Sequence, residues 1–233
     1  MFAQNWSTRL VFKSNFMKLL LTSVGLSNKS IVNALAGLVE KPFSECSLAF
    51  VPTAVNVENF DKSWVVNDLV VCKALGFALL DIVDISALPK EMWLSRLNKA
   101  DILFFEGGNT FHLMHWVKKS GLKDVLPEFL KTKVYVGVSV GSVIVCLHLC
   151  MSTSKKLYDE DGSQYANDGF GYLDFLIRPH LNSPYFPEVT MENMVGLSEE
   201  MSDSFYVIDD ATAIQVIDGK VDVISEGVWK KFH

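Results

Sequence analysis

A serine between two glycines is the first group of residues whose types and spacing suit a chemical reaction. The sequence Gly-Val-Ser139-Val-Gly ends the apolar run 134–138 and leads into another apolar run. A serine on a tight strand-to-helix turn projects its hydroxyl beyond the sheet edge, and glycines two residues away remove Cβ atoms that would clash. The pattern therefore predicts a nucleophile elbow with Ser139 as the nucleophile. A plain glycine-rich turn is the alternative interpretation.

A second glycine-rich turn, GGNT at residues 107–110, follows the apolar run 102–105. Ligands of open α/β sheets bind at the carboxyl ends of the strands, so both turns are expected to face one crevice. Paired glycines leave their backbone N–H groups uncovered and able to contact a bound group. The alternative is that the glycines only form a turn and that Asn109 or Thr110 caps the next helix.

A serine nucleophile also needs a base and a carboxylate. His180 is the one histidine of five that ends a predicted strand, where ligands of such sheets bind. The others lie inside predicted helices or end the chain: His112, His115, His148 and His233. Asp209 and Asp210 follow the strand-like run 205–208. Because adjacent residues point to opposite sides of a strand, only one of these carboxylates is expected to reach His180.

The elements that must position these residues are predicted by an alternation of short apolar runs with amphipathic segments from residue 17 onward. The predicted strands, all apolar enough to be buried on both faces, are residues 18–24, 47–51, 78–85, 102–105 and 134–138. The predicted helices between them are residues 29–40, 63–75, 90–98, 111–119 and 123–131. This order predicts a three-layer α/β fold with a doubly wound, mostly parallel sheet.

The last third of the chain has a different pattern. Residues 152–171 are polar and contain glycine and aspartate, which predicts a long surface loop. The elements predicted after it are a strand at 175–177, a helix at 189–201, and a hairpin of strands 213–217 and 221–225 that turns at Asp218-Gly219. Residues 1–16 lack periodicity and are expected to form an extension outside a single domain at 17–233.

Composition argues against several classes of function. The 233 residues carry a net charge of −6 and no basic run, which disfavours a nucleic-acid partner. No apolar run reaches the ~20 residues that cross a bilayer, so no membrane partner is expected. The four cysteines lie in apolar stretches without the spacing of zinc ligands. We therefore expect reduced thiols, a cytoplasmic location and no metal.

Five short motifs together resemble the dipeptidase E family of serine peptidases, which also includes cyanophycinase. The motifs are FVPTA, EGGNTFHL, GVSVG, PHLNS and DDATA, spread over nearly the whole chain from residue 17. The resemblance implies a flavodoxin-like scaffold similar to that of class I glutamine amidotransferases. It also implies a short-peptide substrate, including N-terminal Asp-X dipeptides, no cofactor, and a monomer or homodimer.

The resemblance implies a catalytic triad in the chain order serine, histidine, acid. Ser139 is then the nucleophile, His180 the general base and acid, and Asp210 the third member, with Asp209 in reserve. The family's acid is usually glutamate, so an aspartate, which is one methylene shorter, is a departure. An ordinary α/β-hydrolase has its acid before its histidine, and a glutamine amidotransferase has cysteine at the elbow. Both of these classes are disfavoured.

The resemblance also assigns residues that contact the substrate. The backbone N–H groups of Gly108 and Val140 are expected to form the oxyanion hole. Val140 replaces the alanine that is usual in the family and brings two more heavy atoms beside that hole. Gly107 and Asn109 are expected to bind the substrate. Arg178 is a candidate for recognising an acidic substrate group, because arginine binds carboxylates in a bidentate manner, and an ion pair with a neighbouring acid is the alternative.

Two functions from different classes remain open on the sequence alone. The first is a peptidase that acts through an acyl-enzyme intermediate. The second is a catalytically inactive family member with a binding or assembly role, suggested by Val140 and by the choice between two acids. The presence of all three reactive groups and both glycine-rich turns favours the peptidase.

Overall fold

A central sheet and a smaller second sheet organise the structure, a computed structural model that describes residues 17–149, 151–162 and 166–233. The expected extension at 1–16 lies outside the described residues. In chain order the strands are β1 (Lys18–Thr22), β2 (Ser47–Val51), β3 (Leu79–Ile82), β4 (Ile102–Phe105), β5 (Val134–Val138), β6 (Leu176–Arg178), β7 (Phe205–Ile208), β8 (Thr212–Ile217), β9 (Lys220–Ser225) and β10 (Trp229–Phe232).

The central sheet has seven strands in the order β3-β2-β4-β5-β1-β8-β9. Strands β3 to β1 in this order are parallel to their neighbours, and β8 and β9 extend the sheet as an antiparallel hairpin. The predicted α/β fold with a mostly parallel sheet is thus confirmed. Because parallel strands share a direction, β1, β4 and β5 all end at the same edge of the sheet.

Helices cover both faces of the central sheet. They are α1 (Lys29–Val39), α2 (Ser63–Ala74), α3 (Lys90–Lys99), α4 (Thr110–Lys119), α5 (Leu122–Phe129), α6 (Val140–Val143), α7 (Met151–Tyr158) and α8 (Met191–Glu200). Successive strand residues point to opposite faces, so Leu20 and Val136 pack with α1 and α2, whereas Leu19 and Tyr135 pack with α3, α4 and α5. Burial on both faces explains why these strands are continuously apolar.

The second sheet contains three strands in the order β10-β7-β6. Its strands β6 and β7 are parallel neighbours, with Arg178 opposite Val207 in the register. The chain segments that follow β6 and β7 therefore leave the sheet side by side. His180 lies in the first of these segments and Asp210 in the second.

Strand β3 contradicts the prediction that every strand is buried. Leu79 and Ile82 are 52% and 49% exposed, because β3 is an edge strand whose one neighbour among the described residues is β2. The apolar run 78–85 also continues past the strand: Val83 and Ile85 are buried in the turn that follows it. Apolar composition therefore did not distinguish an edge strand from a central one.

The interpretation of residues 152–171 as a long loop was wrong at its start, where the structure has helix α7. This helix packs against the core through Thr153, Ser154 and Leu157. Its buried face consists mainly of small hydroxyl residues, and the Ser154 hydroxyl donates to the carbonyl oxygen of Leu149 at 3.1 Å. A helix whose inner face is satisfied by such bonds has no apolar stripe for the sequence pattern to reveal.

Two other differences concern short elements. The helix expected after Ser139 is a single turn, α6, and strand β10 follows a glycine-containing bend without an alternating apolar pattern. Only Phe232 of β10 is buried. The second sheet was therefore not apparent from the sequence, although β6 and β7 were expected as strands.

Candidate active site

Ser139 lies on a strained turn between β5 and α6. Its backbone has φ 49° and ψ −109°, a region that residues with a side chain rarely adopt. The flanking glycines are required, since a Cβ on Gly137 would lie 2.6 Å from the carbonyl carbon of Gly141. A Cβ on Gly141 would lie 2.2 Å from the Phe105 carbonyl oxygen. The sequence pattern therefore corresponds to a nucleophile elbow, with the Ser139 side chain partly exposed at the sheet edge.

His180 contacts both Ser139 and Asp210. Its Nε2 atom lies 2.8 Å from Ser139 Oγ, and its Nδ1 atom lies 3.0 Å from Asp210 Oδ1. The imidazole is 6% exposed and stacks on the ring of Phe186, with ring centroids 4.3 Å apart. An ionised carboxylate only accepts hydrogen bonds, so it favours the imidazole tautomer that carries its proton on Nδ1. Nε2 is then free to accept the serine proton.

The structure separates the two adjacent aspartates that the sequence left as alternatives. Burial raises the pKa of the Asp210 carboxyl, but the hydrogen bond and charge of His180 and a hydrogen bond from Ser23 outweigh it and leave the pKa below its usual value. Asp209 instead accepts hydrogen bonds from Ala211 N at 3.1 Å and from Thr212 Oγ1 at 2.6 Å. Asp209 therefore holds the turn between β7 and β8, and Asp210 is the carboxylate that meets His180.

Ser23 is a residue of the site that the sequence analysis missed. Its hydroxyl accepts the backbone N–H of His180 at 2.7 Å and donates to Asp210 Oδ1 at 3.0 Å. Ser23 directly follows β1, the strand beside β5. Its position at the end of a central parallel strand is the sequence feature that could have predicted it as a site residue. This single side chain holds together the segments that carry the histidine and the acid.

The GGNT turn lies directly beside Ser139. A Cβ on Gly107 would be 3.3 Å from the Cβ of Ser139, and Gly108 has φ 127° with no space for a side chain. Gly107 N donates to Glu106 Oε1 at 2.9 Å, and Asn109 N donates to the Ala54 carbonyl oxygen at 2.9 Å. Between them, the N–H of Gly108 has no acceptor within the described residues.

The remaining predicted site residues have mixed surroundings. Val140 is the first residue of α6. Its N–H, like that of Gly108, has no acceptor in the described part of the chain. Asn109 caps α4 by accepting from His112 N at 2.9 Å. Arg178 is only 1% exposed, and it donates from Nη2 to Thr153 Oγ1 at 2.7 Å. Arg178 is two residues before His180 in the sequence, but its guanidinium lies in the interior.

The end of α7 and the segment after it contact residues around the site. The Tyr158 ring packs edge-on against Phe186, with centroids 5.6 Å apart, and the Tyr158 hydroxyl donates to the Pro179 carbonyl oxygen at 3.2 Å. Glu160 accepts the N–H of Thr110 at 2.9 Å, at the start of the helix that follows the GGNT turn. Burial raises the pKa of Glu160 to about 7.

Neither a metal cluster nor a membrane-spanning helix occurs in the described residues. No group of three or more histidine, cysteine, aspartate or glutamate side chains there is arranged to hold a metal ion. No helix among those described is both long and apolar enough to cross a bilayer. Cys46, Cys72 and Cys146 are buried, and Cys150 lies outside the described residues.

A serine, a histidine and a carboxylate in hydrogen-bond succession beside a glycine-rich turn form the arrangement that serine hydrolases use, and here they lie at the edge of a mostly parallel α/β sheet. Comparison with known proteins then identifies the family. The sequence profile of peptidase family S51 matches residues 19–224, and the chain belongs to this family. The protein is therefore a serine-type peptidase, and the resemblance to peptidase E is confirmed.

Relatives in several bacteria support this assignment. An uncharacterized peptidase of Listeria innocua is 26% identical over 189 residues, which span 76% of this chain and 87% of that protein. An uncharacterized peptidase of Listeria monocytogenes is 30% identical over 151 residues, 63% of this chain and 71% of that protein. The protein named peptidase E in Shewanella oneidensis is 32% identical over 88 residues, 37% of this chain and 36% of that protein.

Solved structures confirm the fold. A crystal structure of a Listeria monocytogenes protein provisionally named peptidase E matches with a TM-score of 0.75 and 25% identity, covering 91% of this chain and 99% of that chain. A peptidase from an acI-B1 actinobacterium matches with a TM-score of 0.68 and 16% identity, covering 93% of this chain and 91% of that chain. The second likeness concerns the fold alone.

Proposed function

We propose that this peptidase hydrolyses short peptides through an acyl-enzyme formed on Ser139, with His180 and Asp210 as the other members of its catalytic triad. The observation that supports this most strongly is the pair of contacts made by one imidazole, 2.8 Å to the Ser139 hydroxyl and 3.0 Å to the Asp210 carboxylate. Removal of the serine proton and stabilisation of the resulting imidazolium require these two contacts.

Each step of the reaction uses a named atom. Ser139 Oγ attacks the carbonyl carbon of the scissile peptide while His180 Nε2 takes its proton. The oxyanion that forms accepts hydrogen bonds from the N–H groups of Gly108 and Val140. His180 then gives the proton to the leaving amine, and an ester remains on Ser139. A water molecule, deprotonated by His180, hydrolyses that ester and restores the hydroxyl.

The proposed substrate is a short peptide with an acidic first residue. The resemblance to dipeptidase E supports Asp-X dipeptides, and Arg178 is the candidate cation for the acidic side chain, with Gly107 and Asn109 along the peptide. Because Arg178 is 1% exposed and donates to Thr153 on α7, it touches the substrate directly only after the residues that cover it move. A cytoplasmic location, the absence of a nucleic-acid partner and a monomeric or dimeric state stay predictions from the sequence.

Labelling of the serine tests the mechanism. We expect a small fluorophosphonate to add one adduct to the parent protein, detected by intact mass, and none to Ser139→Ala. Ser198→Ala is the matched control, because this hydroxyl only donates to the Val195 carbonyl within its own helix, at 2.7 Å. Absence of an adduct on the folded parent contradicts the mechanism and favours the catalytically inactive alternative.

Substrate preference requires a separate experiment. Hydrolysis of Asp-Leu and Ala-Leu is compared for the parent, Arg178→Gln and Arg96→Gln. We expect Arg178→Gln to lose the preference for Asp-Leu, mainly through a change in KM. Arg96 on α3 pairs with Asp81 on β3, away from the site, so Arg96→Gln serves as the control. A preference that is unchanged in folded Arg178→Gln excludes Arg178 as the determinant.

A further inference from the structure

Two carboxyl groups are buried together beside the proposed nucleophile. Glu106, the residue that follows β4, is fully buried, and Asp68 on α2 is partly buried. Their side chains are close enough to share a hydrogen bond, which requires a proton on one of the two carboxyls. The proposed mechanism uses neither of them.

No positive charge compensates this pair within the described residues. The titratable groups that face it are the Asp68 and Cys72 side chains of α2 and the Glu106 side chain itself. Burial raises the pKa of the Cys72 thiol, so it stays neutral. The turn after β1 approaches Asp68 with Gly25, which carries no side chain. An isolated pair of ionised carboxylates is strongly unfavourable in such surroundings.

A proton shared by the two carboxyls explains how the pair is buried without a positive charge and how the second oxygen of Glu106 finds a hydrogen bond. Glu106 Oε2 is buried and has no hydrogen-bond donor among the described residues. A proton held between Glu106 and Asp68 supplies that hydrogen bond and removes one of the two charges. In agreement, burial raises the pKa of Asp68 to about 7, and burial and the neighbouring Asp68 raise that of Glu106 well above its usual value.

The pair reaches the proposed active site through one backbone group. Glu106 Oε1 accepts the N–H of Gly107 at 2.9 Å. A Cβ on Gly107 would lie 3.3 Å from the Cβ of Ser139 and 3.4 Å from the ring of Trp64, which is on α2 one turn before Asp68. Glu106 therefore fixes the first peptide of the GGNT turn, and the next N–H, that of Gly108, stays unpaired.

We infer that Glu106 and Asp68 are positioning residues that share one proton and thereby hold the GGNT turn so that the Gly108 N–H stabilises the oxyanion. This inference rests on the proposed function, because it requires Ser139 as nucleophile and Gly108 as an oxyanion donor. Loss of the shared proton places two carboxylates in contact, and their repulsion moves Glu106 away from Gly107. The reaction then slows as the pH rises.

The pH dependence has a defined sign. The carboxyl pair is competent in its singly protonated form, so the rate falls with pH on the alkaline side. This fall in rate at alkaline pH belongs to Glu106 and Asp68.

The experiment measures the second-order rate constant for fluorophosphonate labelling of Ser139 between about pH 5 and pH 10. Glu106→Gln and Asp68→Asn each place an amide in the pair, which donates the missing hydrogen bond without a titrating proton. We expect both to keep a high rate at alkaline pH, where the parent loses about 10-fold or more, and Glu106→Ala to be about 10-fold slower throughout. Glu128→Gln, an exposed residue paired with Lys131, is the control and follows the parent.

If the labelling rate falls at alkaline pH in both amide variants as it does in the parent, the inference is overturned. The labelling of Ser139 itself still upholds the proposed function. A parent protein that is not labelled at any pH overturns both. An infrared measurement remains informative where a variant does not fold: the parent has to show the carbonyl stretch of a protonated carboxylic acid that disappears as the pH rises above neutral. Glu160→Gln separates the signal of the pair from that of Glu160, and absence of the signal in this variant contradicts the shared proton.

Discussion

The contacts of Asp210 determine what the imidazole of His180 can do. The carboxylate lies 3.0 Å from Nδ1, and the tautomer it favours leaves Nε2 as the acceptor for Ser139. An asparagine at this position presents either an N–H or a carbonyl to Nδ1 and carries no charge to stabilise an imidazolium. One residue away, Asp209 has the same chemistry but different partners, and this makes it a matched control.

We predict that Asp210→Asn lowers kcat by about 10²- to 10⁴-fold with a small effect on folding. Asp209→Asn is expected to retain the rate within a few-fold and to lower the free energy of unfolding, because Asp209 accepts hydrogen bonds from Ala211, Thr212 and Val228. Peptide hydrolysis and urea unfolding of both variants provide the comparison. Equal losses of activity in the two variants would show that Asp210 has no special role.

Ser23 gives a second prediction at the scale of single residues. Ser23→Ala removes the acceptor of the buried His180 N–H and a donor to Asp210. We expect a cost of about 1–3 kcal/mol in stability and a lower kcat with little change in KM, since Ser23 acts through His180 and Asp210. Ser27→Ala is the control, because its exposed hydroxyl donates only to the Asp210 carbonyl oxygen at 2.8 Å. A change confined to KM would contradict a positioning role.

At the scale of elements, the GGNT turn depends on a glycine that no other residue can replace. Gly108 has φ 127°, and a Cβ there would lie 2.4 Å from the Ala54 carbonyl oxygen. We predict that Gly108→Ala displaces this turn and lowers the labelling rate of Ser139 by about 10²-fold, the usual loss for one oxyanion donor. Gly76→Ala, at φ 76° with open space around it, is expected to cost stability alone. Equal labelling rates in the two variants would remove Gly108 from the oxyanion hole.

The sequence predicts the elements that carry Ser139 and the GGNT turn because those strands are buried on both faces. Strands β2, β4 and β5 have the predicted bounds, since each apolar run ends where a glycine, proline or polar residue begins. Helix α7 could not be predicted in the same way. Its buried face includes Thr153 and Ser154, whose hydroxyls bind Arg178, far along the chain, and the carbonyl oxygen of Leu149 just before the helix.

The choice between Asp209 and Asp210 also required the tertiary structure. The alternation rule states that only one of two neighbours faces His180, but it does not state which one. The answer depends on the pairing of β6 with β7 and on the turn into β8, where Thr212 binds Asp209. Glu106 was visible in the motif, whereas its contact with Asp68, far away in the sequence, was not. Long-range pairings of polar residues leave no periodic signal in the chain.

At the scale of the whole molecule, the ionisable groups have opposite effects on stability. Asp81 has a lowered pKa because of its hydrogen bonds and ion pair with Arg96, so its contribution is present above its unfolded pKa and is lost on acidification. Glu106 and Asp68 have raised pKa values because of burial. Their contribution is fully present below the pKa of an unfolded carboxyl, about 4, and is lost as the pH rises through their folded values.

This difference leads to a prediction for the folded protein that is independent of any substrate. The free energy of unfolding of the parent is expected to fall between about pH 5 and pH 8.5, by on the order of 2 kcal/mol more than that of Glu106→Gln. In the variant the amide does not ionise, so no second negative charge forms in the interior at the higher pH. Urea unfolding gives the free energy at both pH values for the parent, for Glu106→Gln and for the exposed control Glu128→Gln. Parallel pH dependences in the parent and Glu106→Gln would mean that the pair has the same protonation in the folded and the unfolded protein. The folded protein would then hold no shared proton beside Ser139.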